Sequence, residues 1–111
     1  MSKRGYLSSL ELMVLLGVLR VGRDASGIPI SREVAAASGR EVALGSIYAA
    51  LARLEENGMI SSALGSPLPE RGGRAKAFFR LTSQGLREVR EAQTTLVRLW
   101  SGLPELEGGR T

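Results

Sequence analysis

The spacing of apolar positions along the chain predicts four helices and one β-hairpin. From Leu10 to Val21 almost every residue is apolar, over a length suited to a helix from Ser8 to Arg23. Ser8 and Glu11 have the capping-box spacing at its start. Leu10, Leu12, Met13, Val14, Leu15, Leu16, Val18, Leu19 and Val21 cover nearly its whole circumference, so it must be covered from more than one side. Asp24 to Pro29 reads as a turn rich in breakers, with Ile28 or Ile30 as a candidate short strand. Ser31 is a candidate N-cap for a second helix from Arg32 to Ser38, closed by Gly39. In the third, Leu44 to Gly58, Ile47, Leu51, Leu54 and Gly58 recur on one face, and Asn57-Gly58 is a stop signal.

After Gly58 the periodicity changes. Met59 to Leu64 and Lys76 to Leu81 read as two strands, the second with Ala77, Phe79 and Leu81 on one side. Between them Gly65 to Ala75 is a loop. A last helix from Ser83 to about Ser101, capped by Thr82, places Leu86, Val89, Gln93, Leu96, Trp100 and Leu103 at alternating spacings of three and four, a coiled-coil-like seam. Pro104 ends it, and Glu105 to Thr111 reads as a disordered tail. The fold class expected is mainly α with a small β-hairpin: a winged helix-turn-helix over residues 1–82, a dimerisation helix over 83–103 and a tail over 104–111.

The outer face of the third helix is unusual. Ser46 and Ala49 are small, Tyr48 lies on the flank, and Arg53 follows one turn later. A helix with a bare N-terminal half and polar groups at its edges suits approach to a DNA major groove. An ordinary surface helix rich in alanine would look similar when taken alone. The hairpin alters the balance: Arg71, Arg74, Lys76 and Arg80 form a basic run without an acid, with Gly72 and Gly73 among them. Arg71 and Arg74 at the tip suit contact with phosphates or the minor groove, although charge runs are often only solvated loops.

Composition narrows the function further. The 111 residues contain neither cysteine nor histidine, which removes disulfides, thiolate metal sites and the Ser-His triad. No catalytic constellation, metal site or cofactor motif stands out, and an enzyme is not expected. The net charge of +4 points weakly to an anionic partner. The first apolar run is interrupted by Glu11, ended by Arg20, and too short to span a bilayer. A cytoplasmic location without membrane contact is expected. A small core leaves one side of the first helix and the seam of the last uncovered. A homodimer joined through Leu12, Leu16, Leu86, Val89, Gln93, Leu96 and Trp100 is the economical reading.

Gly45-Ser46-Ile47-Tyr48, Leu51, Arg53-Leu54-Glu55 and Gly58-Met59-Ile60 resemble the recognition-helix motif of PadR-type transcriptional regulators. Glu70 to Lys76, followed by Phe78 to Thr82 and Gly85, resembles that family's wing and the start of its last helix. The resemblance runs from about Leu7 to Leu103. It implies a homodimeric repressor in which Ser46 and Tyr48 meet double-stranded DNA and the wing arginines meet its backbone. Phe78-Phe79 stands where the family usually carries a tyrosine, and one terminal helix replaces the longer helical domain of some members. The resemblance also makes Trp100 a candidate contact for a small aromatic effector; packing in the seam without ligand is the favoured alternative. The competing function is a winged-helix module that binds a protein and no specific DNA. Binding of small RNA or the ribosome is disfavoured for want of an aromatic stacking platform.

Overall fold

The computed structural model describes residues 7–65 and 76–106. Helix α1 (Ser9–Val21) begins with the expected capping box. The Glu11 amide donates to Ser8 Oγ at 3.1 Å, and the Ser8 amide donates to Glu11 Oε1 at 2.9 Å. Val14, Leu15, Gly17 and Val18 are buried, while Leu16 and Leu19 remain more than two-fifths exposed. The helix stops at Val21, two residues before Arg23. Gly22 takes a φ of 84°, and a 3-10 turn, Gly22–Asp24, follows.

Helix α2 (Gly27–Ser38) starts five residues earlier than its serine suggests. Ser26 is the N-cap residue, and the region assigned to a turn is the first helical turn. Pro29 causes no break because the first-turn N–H groups have no helical acceptor in any case. Ile28 and Ile30 are therefore helical, and Ile30 is fully buried. The strand-like pairing falls instead at Ala25, whose carbonyl accepts from the Phe79 amide at 2.8 Å. Gly39 closes the helix in the left-handed region, as its position predicts.

Helix α3 (Leu44–Glu56) follows a short connector and buries Ile47, Ala50, Leu51 and Leu54. These residues meet Val14, Leu15, Val18, Ile30 and Val34, so three helices close one core. Full burial of each large side chain contributes roughly 1.5–3 kcal/mol. Strands β1 (Ile60–Leu64) and β2 (Ala77–Leu81) form the antiparallel hairpin, with Ile60 opposite Leu81 and Leu64 opposite Ala77. Ile60 and Phe79 anchor its base in the core.

Helix α4 (Ser83–Trp100) is capped by Thr82, whose Oγ1 accepts from the Gly85 amide at 3.0 Å and donates to the Gly58 carbonyl at 2.6 Å. That bracket fixes the base of the hairpin to the last helix. Gly85 is the only buried residue of α4; Leu86 and Val89 are half-buried. Beyond Gln93 the helix leaves the body, and Leu96, Val97, Leu99 and Trp100 are 45–68% exposed. The chain measures 55 × 37 × 21 Å, with a radius of gyration of 16.0 Å. A compact chain of about 100 residues has roughly 13 Å. The tail expected to be disordered starts with a turn: Leu106 donates to the Leu103 carbonyl at 3.0 Å. The remaining tail lies outside the described residues.

Candidate nucleic-acid interface

Helix α3 presents Gly45, Ser46, Ala49 and Ala52 on its exposed side, opposite the buried Ile47, Ala50, Leu51 and Leu54. Its N-cap, Ala43, offers no side-chain hydrogen bond. The first amides of the helix therefore lack that cap at the end with positive partial charge. Ser46 and Ala49 stand on this surface, as their spacing predicts.

Tyr48 lies at the edge rather than outward from the helix axis. Its ring lies over Gly27 in the first turn of α2, with 47% of the residue exposed. The phenol is thus placed at the junction of the two helices of the helix-turn-helix.

Arg53, expected as an outward donor, keeps half of its side chain exposed and also has a partner within the chain. Its Nε donates to Glu11 Oε2 at 2.9 Å, which ties the end of α3 to the start of α1. The other Glu11 oxygen completes the capping box. The Ser8 backbone N–H and the Arg53 guanidinium hold the Glu11 carboxyl below its ordinary value. The capping spacing was visible in the sequence, but nothing there signals a partner 42 residues away.

Lys76 stands at the foot of β2, its ammonium 5.9 Å from the Phe78 ring centroid. This is a cation–π contact at the edge of the hairpin. Arg80 is exposed and sits opposite Ser61. Arg71 and Arg74 lie outside the described residues.

Six of the seven proposed dimer residues meet at a second surface. Leu12, Leu16, Val89, Gln93, Leu96 and Trp100 line an open groove of about 500 Å³ between α1 and α4. Leu86 does not line it; it sits half-buried nearer the hairpin base. Among the described residues no three His, Cys, Asp or Glu side chains gather in a way that could hold a metal ion. None of the described helices is long and apolar enough to cross a membrane.

Three helices, a hairpin wing and an exposed small-faced third helix define a winged helix-turn-helix. The family model of the PadR-like transcriptional regulators matches residues 15–91. The chain belongs to that family and is a transcriptional regulator with its DNA-binding fold. Among curated proteins, none matches the chain by sequence. Several solved structures share the fold. A PadR-like transcriptional regulator from Bacillus cereus is 21% identical, with a TM-score of 0.69, over 91% of this chain and 93% of that one. A PadR family regulator from Eggerthella lenta is 23% identical, with a TM-score of 0.66, over 88% and 83%. RosR of H. salinarum is 22% identical, with a TM-score of 0.66, over 89% and 82%.

Proposed function

We propose that this chain is a homodimeric repressor that reads a pseudo-palindromic duplex through paired α3 helices. The observation that carries the DNA-reading half is the exposed Gly45, Ser46, Ala49 and Ala52 face beside the hairpin. With side chains this small, the helix backbone can approach base edges closely, with Ser46 and the Tyr48 hydroxyl as polar contacts. Arg71 and Arg74 follow the phosphate backbone, with Lys76 at the loop's base. Residues 1–82 form the DNA-binding unit and residues 83–103 the dimerisation helix.

The uncovered groove between α1 and α4 supports the pairing of two subunits. Leu96, Val97, Leu99 and Trp100 lie together on one projecting helix, an arrangement that a partner subunit would cover. In that dimer the α3 helices stand about 34–36 Å apart, one turn of DNA. Trp100 packs in that seam, the reading preferred over contact with a planar aromatic effector, and regulation proceeds by binding rather than catalysis. Selection from a random duplex pool, with the mass of the complex measured alongside, tests the proposal. Enrichment of an inverted repeat bound by two subunits is expected. Uniform retention of all sequences, or a single subunit on the DNA, rejects it. Reporter expression from the enriched site distinguishes repression from activation.

A further inference from the structure

We infer that Gly27 is a positioning residue for DNA binding, because its missing side chain leaves the recess in which the Tyr48 ring lies. The inference rests on the proposed role of Tyr48 at the DNA. A Cβ on Gly27 would collide with the Tyr48 hydroxyl and Cζ and would stand 2.8 Å from Cε1. No ordinary side-chain contact is that short, so either the ring or the first turn of α2 would have to move.

The backbone does not require glycine here. The described glycines with positive φ are Gly22, Gly39, Gly58 and Gly102, and Gly27 is not among them. Alanine is also the better helix former. The three atoms nearest a Cβ there all belong to the phenol. Gly27 is buried, as are Ala25 and Ser26 before it, while Tyr48 is 47% exposed. The ring covers the glycine and shows its other side to solvent.

This arrangement does for an aromatic donor what a rigid first shell does in any binding site. Contact with the Gly27 backbone favours the rotamer that keeps the phenol at the α2–α3 junction over one that leaves the recess. The hydroxyl stays at the α2–α3 junction, at the edge of the face offered to the groove. A Cβ at position 27 would push the ring out towards the DNA, where it would hold Ser46 and Ala49 away from the bases. Gly27 touches no base in this account; it acts through Tyr48.

A double-mutant cycle tests the coupling, using Gly27→Ala, Tyr48→Ala and the double variant in the full chain. The probe is the duplex enriched in the selection above. Gly27→Ala is expected to weaken binding at least tenfold, and the double variant to bind within twofold of Tyr48→Ala alone. NOEs between the Gly27 Hα protons and the Tyr48 ring should be present in the wild type. If Gly27→Ala folds poorly, the Tyr48→Ala background should restore its melting temperature, since the atoms nearest the added Cβ all belong to that ring. Unchanged binding by Gly27→Ala, or losses that multiply in the double variant, would overturn the inference. A wild type that binds the duplex but lacks the NOEs overturns it alone. A wild type that shows the NOEs but retains no duplex overturns the proposed function, and the role of Gly27 with it.

Discussion

Arg53 on α3 and Glu11 on α1 form a charge-assisted hydrogen bond of 2.9 Å between the end of one helix and the start of another. Glu11 is mostly buried, whereas half of the Arg53 side chain is exposed. Solvent screens the pair on the arginine side, so its contribution is about 0.5–1 kcal/mol. Arg53→Ala is therefore expected to lower stability by about that amount in urea unfolding. A cycle with Glu11→Gln should return a coupling of the same sign. Coupling of zero would leave Arg53 free to serve as the groove-reading donor that its helix position suggests.

The same pair predicts a pH dependence. The ordinary value for a glutamate is 4.5, and in the folded chain Glu11 lies below it, first because of the Ser8 amide and then because of Arg53. Its stabilisation is fully present above the unfolded value and is lost as pH falls through the folded one. As pH falls from neutral to below 4.5, wild type should lose more stability than Glu11→Gln, which has no carboxylate to protonate. Equal losses in acid titrations of the two proteins would remove Glu11 from the account.

The helices were legible where local chemistry and period agree. The Ser8–Glu11 box, Gly39, Thr82 and the Ile47–Leu51–Leu54 stripe all stand where spacing places them. The start of α2 was hidden because Pro29 punctuates a sequence as a breaker yet fits a first helical turn. Ser31 then competes with Ser26 for the cap, and only the burial of Ile30 decides between them. Within the site, Ser46 and Ala49 were readable from the helical period. The flank position of Tyr48 was readable too, but the partners of Tyr48 and Arg53 were not, because Gly27 and Glu11 lie far away in sequence.

Two glycines should respond oppositely to alanine. A Cβ on Gly85 would collide with the Met59 carbonyl oxygen, where α4 crosses the end of α3 and the hairpin. Backbone cannot swing aside like a side chain, so Gly85→Ala should cost about 1–3 kcal/mol. Gly45 has open space around it, and Gly45→Ala should gain up to about 0.5–1 kcal/mol. The added methyl faces the proposed groove surface, so the same change should weaken duplex binding. Chemical denaturation and fluorescence anisotropy on the two variants read both effects.

Removing Arg71 or Arg74 should weaken binding to all duplexes alike, since phosphate contacts carry no sequence information. Each lost contact should flatten the slope of log K against log salt by about 0.9. An unchanged slope in titrations from low to moderate salt would show that the basic loop stays in solvent.

Trp100 is the chain's single tryptophan, so its emission reports on α4 without interference. In one subunit it is 57% exposed beside Leu96 and Val97, and an indole so placed emits in a largely aqueous setting. Covering the groove with a second subunit removes that water. Emission should shift to the blue as concentration rises, in step with the doubling of mass seen by light scattering. Leu96→Asp should abolish both changes while leaving the melting of the three-helix core nearly intact, because Leu96 is 45% exposed and lies beyond that core. Against this, a planar aromatic ligand that bound the dimer would quench Trp100 at concentrations where the mass is already constant, and it should not quench the Leu96→Asp monomer. A mass of one subunit across the whole range would leave the groove between α1 and α4 to some other occupant and end the proposal of paired α3 helices.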